Sequence, residues 1–429
     1  MSARALRPLR TLSTLGAAAL LATSCSTGSP APSATSTGGG AGTRTGTAPS
    51  TSTSSSTQGT TTTTTSRPAT SSRTSTSSTT TPSRTCGQRL AAAMTPSQRA
   101  GQLLMVGLQP SGSSTQLAAQ VRAQHLGGVI YLGGWSGGTA SMARISARLQ
   151  DAAHGSLLVA ADQEGGEVQQ LKGPGFDTMP SARTQATLGT TSEQAAVRTW
   201  SHQLARAGVT INLAPVADTV PTSLGSANQP IGRYHRDFAP GSPSTNARYV
   251  AAFVRGSVAG GVVPTLKHFP GLGRVTGNTD VTTSGITDPT TRAGDPYLAP
   301  FQAGIAAGAP VVMVSSAWYP RIDPNHQAMF SRAVVTDLLR GSLRFRGVVI
   351  TDDVGAARAV AAVPVGQRAT RFISAGGDIV LTADAGQAST MLSAIAAKRA
   401  QSRAFAAQVD AAAARVLDLK ATFGLVRCG

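Results

Sequence analysis

Seven residues able to bind, orient or move protons share one kind of position in the chain. Asp162, Asp218, Lys267, His268, Ser315, Asp352 and Asp384 each lie at or just past the end of a short apolar run. Brought together, such a set supports nucleophilic attack by a carboxylate and proton transfer, with the lysine keeping neighbouring carboxylates ionised. The stretch LKHFPGLGRVTGNTD, residues 266–280, is its densest part: a Lys–His pair ends an apolar run, a Gly-rich loop follows, and the loop closes on Asp280.

These residues need a scaffold that gathers strand ends. The apolar runs are QLLMVG (102–107), GGVIYL (127–132), SLLVAAD (156–162), INLAPVAD (211–218), PTLKH (264–268), VVMVSS (311–316), GVVITDD (347–353) and DIVLTAD (378–384). Their continuous apolar character predicts strands buried on both faces. The Ala/Arg/Leu-rich stretches between them, and STMLSAIAAKRAQSRAFAAQVDAAAARVLDLK (389–420) after the last, predict parallel crossover helices. Eight such repeats predict an α/β fold, a single (β/α)8 TIM barrel whose chemistry collects at the C-terminal ends of the strands. An open doubly wound sheet would also place strand ends on one side and is the alternative fold.

Residues 86–429 hold all of these elements. Ahead of them, residues 1–24 carry Arg4, Arg7 and Arg10 and then LSTLGAAALLATS, an apolar run too short to span a bilayer, which is the pattern of an export signal. Ala22, Thr23 and Ser24 before Cys25 resemble a bacterial lipobox, predicting lipidation of Cys25 and anchoring to the outer face of the cytoplasmic membrane; a plain secretory signal is the alternative. Residues 25–85 form the next segment, and 38 of the 60 residues from Ser26 to Thr85 are Ser or Thr. So little apolar surface does not offset chain entropy, and the segment reads as a disordered tether.

Cys86 and Cys428 bracket the folded region. Export permits them to pair and a barrel brings its ends together, so a disulfide is expected in preference to two free thiols. No cysteine spacing suggests a metal site, and no motif calls for a cofactor. The net charge is +18, of which residues 86–429 carry +11. Outside the cell that charge would meet anionic headgroups or cell-wall polymers rather than nucleic acid, or serve solubility alone. Nothing in the chain requires more than a monomer.

The segments MTPSQRAGQLLMVG, LGGVIYL, ADQEGGEVQQL, NLAPVADT, LKHFPGLG, RFRGVVITDDVG, AGGDIVL and RVLDLKATFGL resemble, in order, glycoside hydrolase family 3 and in particular its single-domain β-N-acetylglucosaminidases. The resemblance runs through almost all of residues 88–427. It implies a retaining hydrolase acting on β-linked amino-sugar glycans, such as peptidoglycan fragments, through a covalent glycosyl–enzyme intermediate. It further implies Asp352 as the nucleophile, with Asp353 as a helix N-cap, and Asp162 as a sugar-binding carboxylate. Lys267 and His268 match a pair that contacts the sugar near the scissile bond, against the plainer readings of a buried ion-pair partner and a satisfied core histidine. Arg236 in IGRYHRDF lines up with a family arginine, with Arg233 as its competitor. Glu164 in DQEGG reads as a structural hydrogen-bonding residue.

The chain departs from this pattern in two places. In the family the loop after Lys-His-Phe-Pro-Gly has a histidine two residues past the proline and ends in Asp-Ser-His, whose histidine is the general acid/base. Here Leu272 and the triplet Asn278-Thr279-Asp280 take those places, and no histidine occurs between His268 and His326. Asp280 is therefore the candidate acid/base, and His235 on the neighbouring loop is a second candidate. A glycan-binding cell-wall protein with weak or no hydrolysis is a third reading, since losing general acid catalysis costs about 10²–10⁴-fold. After DQEGG, Glu167 and Gln170 stand where the family often has arginines, with Lys172 as the nearby cation to replace them. This leaves the sugar open, and a β-glucosidase-like hydrolase is the alternative.

Overall fold

The computed structural model describes residues 84–428. The expected export signal, Cys25 and all but the end of the Ser/Thr-rich segment lie outside the described residues. All eight apolar runs become strands: Leu104–Leu108, Gly128–Tyr131, Leu158–Ala161, Ile211–Asn212, Val263–Phe269, Val311–Val314, Val348–Thr351 and Val380–Thr382. Each pairs in parallel with its sequence neighbour, the first pairs with the eighth, and an Ile350–Ile379 bridge joins the seventh to the eighth. The sheet thereby closes on itself, so a barrel and not an open doubly wound sheet is the outcome. The first and fifth strands are buried along their whole length, as continuous apolar runs require.

The fourth strand is much shorter than its run predicts. Regular pairing covers only Ile211 and Asn212; beyond them Pro215 has no N–H to give, and the chain stays joined to the fifth strand through the Ala214 carbonyl, which accepts from Thr265 N at 2.8 Å, and a Val216–Lys267 bridge. Helices such as Ser114–Gln124, Thr190–Arg206 and Pro243–Ala259 form the outer layer between strands. The final helical run is divided in two, Ala388–Gln401 and Arg403–Thr422. Ser402 turns extended between them and its hydroxyl accepts from Phe405 N at 3.2 Å, so one side chain ends a helix and caps the next.

The two ends of the barrel domain are fastened to each other. Cys86 and Cys428 form a disulfide with their Cα atoms 5.6 Å apart. Beside it, Asp418 on the last helix accepts from Gly87 N at 2.6 Å and from the Thr85 hydroxyl at 2.9 Å. The first helix, Cys86–Ala93, packs so closely on the last that a Cβ at Gly87 would lie 2.0 Å from the Ala414 carbonyl oxygen. A link across 342 residues removes much of the entropy of the unfolded chain. The double variant Cys86→Ser/Cys428→Ser should therefore lose about 2–5 kcal/mol of unfolding free energy. Urea titration of residues 84–428 checks this, and an unchanged midpoint would mean that the Asp418 and helix contacts hold the ends without the covalent bond.

Candidate active site

A cavity of about 490 Å³ opens at the C-terminal ends of the strands. Ile130, Leu213, Met313 and Leu381, from four different strands or their ends, supply its apolar lining, and the polar lining comes from the loops above them. A larger groove of about 770 Å³ lies elsewhere, between helices Pro96–Gly101 and Ala388–Gln401 and their neighbours; it contains no carboxylate. The chemistry therefore belongs to the smaller, more polar cavity. Among the described residues no three His, Cys, Asp or Glu side chains are grouped so as to hold a metal ion.

Asp162, Lys267, His268, Asp352, Asp280 and Arg236 all line this one cavity, as does Asp353. Lys267, on the fifth strand, is only 2% exposed and lies between two carboxylates, 2.5 Å from Asp162 Oδ1 and 2.6 Å from Glu164 Oε1. Burial alone would lower its pKa, but the charges of Asp162 and Glu164 more than reverse this and hold it above the ordinary lysine value. Arg236 closes on the other side of Glu164 with a two-bonded fork, Nε to Oε2 and Nη2 to Oε1, both 2.8 Å. Burial would raise the Glu164 pKa; Arg236 and Lys267 together bring it down to about 2. Glu164 is thus the ionised centre of a buried cluster, which matches its reading as a structural residue. Lys267 is both an ion-pair partner and part of the cavity wall.

His268 is oriented from below. Its Nδ1 lies 2.7 Å from Oδ2 of Asp218, while Oδ1 of the same carboxylate accepts from the backbone N–H of His268 at 3.1 Å and of Leu272 at 2.8 Å. Asp218 is fully buried, so it supports the site without entering it. Ser315 is likewise buried and pairs with the Tyr319 hydroxyl at 3.0 Å. Asp384 does not converge on the mouth: it is exposed and caps the turn that follows, accepting from Gly386 N at 2.9 Å. Arg233 is exposed and pairs with Gln229, which leaves Arg236 as the arginine of the site. His235 is exposed with its backbone in the left-handed region and is absent from the cavity wall, as is exposed Lys172; Glu167 and Gln170 do line it.

Asp352 and Asp353 follow the seventh strand and divide the work. Both oxygens of Asp353 are taken by backbone N–H groups, Oδ1 by Gly355 and Ala383 at 2.7 Å each and Oδ2 by Ala356 at 2.9 Å. Asp353 therefore braces the turn, as a capping residue does. Asp352 accepts only from the N–H of Asp353, at 2.9 Å, and stays open to the cavity. Burial, offset by His268 and reinforced by the negative Asp280, raises its pKa to about 6. Asp280 is exposed at the rim, unlike Asp352, which is only partly open to the cavity. The protein around its carboxyl still raises its pKa, against the pull of Arg236 and His268 and with the push of Asp353 and Asp162. Tyr234, next to Arg233 in IGRYHRDF, also lines the cavity; its only sequence signal was an aromatic ring beside the candidate arginines.

Residues 95–419 match the family model described as the glycosyl hydrolase family 3 N-terminal domain. A beta-hexosaminidase from Stenotrophomonas maltophilia is 37% identical over 284 residues, covering 63% of this chain and 81% of that protein. The crystal structure of a β-N-acetylhexosaminidase from Beutenbergia cavernae is 45% identical, with a TM-score of 0.74 over 77% of this chain and 99% of that one. A family 3 β-N-acetylglucosaminidase from a Paenibacillus species is 28% identical, with a TM-score of 0.68 over 78% of this chain and 63% of that one.

The raised Asp352 carboxyl has a consequence for stability. The folded state holds this proton up to about pH 6 while the unfolded chain releases it near pH 4, so the contribution is complete below about pH 4 and is lost as pH rises through 6. Asp352→Asn should therefore be more stable than the parent at pH 7, by about 1–2 kcal/mol after allowing for partial solvent screening, and no more stable at pH 4. Thermal or urea unfolding at the two pH values measures this, and an equal gain at both would show that Asp352 is not titrating in that range.

Proposed function

Because this chain belongs to glycoside hydrolase family 3, we propose that its barrel is a retaining β-N-acetylhexosaminidase in which Asp352 is the nucleophile and Asp280, in place of a histidine, is the acid/base. That the chain is a glycoside hydrolase follows from the family and its hexosaminidase relatives. The roles of individual residues are our reading. The Asp352 carboxylate attacks the anomeric carbon as the bond to the leaving oxygen breaks, and Asp280 gives that oxygen its proton. Water then attacks the glycosyl carbon, Asp280 takes the water proton, and the carboxylate of Asp352 is released with the sugar configuration retained.

The observation that carries the acid/base assignment is the shared cavity. Asp280 lies in the same wall as Asp352, and its negative charge makes the Asp352 carboxyl hold its proton more firmly, whereas His235 stands outside. Asp162 keeps one oxygen for Lys267 and offers the other to adjacent sugar hydroxyls. His268, oriented by Asp218, and Arg236 complete the substrate wall. We place the enzyme outside the cytoplasmic membrane, tethered through a lipidated Cys25 and acting as a monomer on cell-wall-derived amino sugars such as peptidoglycan fragments. The charged-then-apolar N-terminus supports this, as does a Cys86–Cys428 bond, which needs an oxidising compartment. Glu167 and Gln170 in the wall keep a sugar without the acetamido group as the competing substrate, and the absent loop histidines favour, as the rival reading, a protein that binds glycan with little turnover.

Two measurements test the assignment. For Asp280→Asn, kcat/KM on a natural β-N-acetylglucosaminide disaccharide should fall about 10²–10⁴-fold, with far less change on an aryl glycoside whose leaving group needs no proton. A parent protein that turns over neither substrate but binds the disaccharide would replace this reading with the glycan-binding one. The pH profile of kcat/KM should be bell-shaped, with an acidic limb near pH 6 as Asp352 loses its charge, the two limbs belonging to the carboxyl pair as a whole. In Asp280→Asn the alkaline limb should disappear, because position 280 has no proton left to lose, while the acidic limb remains, Asp280 being neutral on that side of the profile. An unmoved profile would remove Asp280 from the pair.

A further inference from the structure

We infer that Gln327, acting through the backbone of Arg358 and Ala359, is the positioning residue that sets Asp280 against Asp352. The inference rests on the acid/base reading of Asp280 above. The loop that leaves the fifth strand must reach the rim and stop there with Asp280 facing the cavity. Its base is held by the buried Asn228, whose Nδ2 donates to the Leu272 and Val275 carbonyls, both at 2.7 Å. Its arms are held to each other by Thr276 and Gly277, whose N–H groups donate to the Gly285 carbonyl at 3.0 and 2.8 Å. Neither contact reaches Asp280.

Asp280 is reached locally by its own N–H, which donates to Asn278 Oδ1 at 3.0 Å, and from outside its loop by the segment that carries the nucleophile. Arg358 N donates to the Asp280 carbonyl and Ala359 N to the Thr279 carbonyl, both at 3.0 Å. Asp352 stands near one end of that segment and the two donors at the other, so acid and nucleophile hang from a single piece of chain. The donors sit in a 3₁₀ turn of only three residues, Arg358–Val360, too short to hold its own place. Gln327 anchors it. The residue is buried, and its Nε2 donates to the Ala359 carbonyl and to the Ser316 carbonyl, each at 2.8 Å. Ser316 lies just past the sixth strand, so both amide donors are used to tie the turn to the barrel wall. The Ala359 residue thus accepts from Gln327 and donates toward the acid loop, a continuous path from barrel to Asp280.

The test uses two variants that remove different links. Gln327→Met keeps the side-chain length and removes both donors. Arg358→Pro removes the N–H that reaches Asp280 at a place suited to proline, since Ala357 before it is already extended and residue 358 opens the turn. In both variants kcat/KM on the natural disaccharide should fall about 10–100-fold, as expected for a misplaced catalytic group. With an activated aryl leaving group kcat/KM should stay within about 3-fold. Azide attacks the glycosyl carbon of the Asp352 ester without a base, forming a C–N bond and releasing the carboxylate, so it should accelerate aryl turnover in the variants and not in the parent. Asp280→Asn is measured alongside. If Asp280→Asn lacks this pattern, the acid/base reading falls and takes the inference with it. If Asp280→Asn shows it while Gln327→Met and Arg358→Pro lose both substrates equally, or neither, only the positioning role of Gln327 is overturned.

Discussion

Lys267 carries a charge with almost no access to water, and the mouth of the barrel is organised around keeping that charge neutralised. A lone buried ammonium would give up its proton. The site prevents this with an alternating row, Asp162, Lys267, Glu164 and Arg236, in which each inner charge touches opposite charges on two sides. The row draws on three separate places in the chain: the loop after the third strand, the fifth strand and the loop after the fourth. Removing any inner member leaves a buried charge unpaired, which typically costs about 3–5 kcal/mol. The same row leaves the second Asp162 oxygen without a side-chain partner at the mouth, which is where the proposed sugar contact would be made.

That arrangement leaves the two carboxyls proposed to react outside the row. Asp352 and Asp280 have no salt-bridge partner among the described residues, while Asp353, the neighbour of one of them, has every oxygen occupied by backbone donors. Carboxyls that are surrounded by protein but not neutralised keep their protons to higher pH. Stability and reactivity are thus divided between two sets of acidic groups at one mouth: the paired set is fixed by its partners, the unpaired set is the one proposed to exchange protons.

The fold was legible because its signal is simple. Eight continuous apolar runs required strands covered on both faces, and strand ends carrying Asp, Lys and His required one mouth. Where the reading went astray, a local hydrogen bond had intervened. Asp384 stands after a strand like the others, but the following turn offers N–H groups that its short side chain satisfies at once. Ser402 split a helical pattern by capping, and Pro215, with no donor, stands past the point where a strand's regular pairing ends. Lys172 was near in sequence but lies on the solvent side. Arg236 and Arg233 were indistinguishable until Glu164 was in place to choose between them. The tie from Ala359 to Thr279 left no trace in residue types, since every residue except proline carries a backbone N–H, and Gln327 acts on carbonyls whose identity does not depend on side chains.

The clasp between Cys86 and Cys428 bears on how the domain would carry force. For a catalytic barrel hung from its N-terminal end, tension in the chain arrives at Cys86, at the first turn of the first helix. The covalent bond passes it at once to the C-terminal segment, so the load is shared between both ends of the fold. The first helix is not the weak link from which the barrel would be peeled, strand by strand, away from its own mouth. A pull arriving at Cys86 would then load both ends of the domain together, and not its first helix alone.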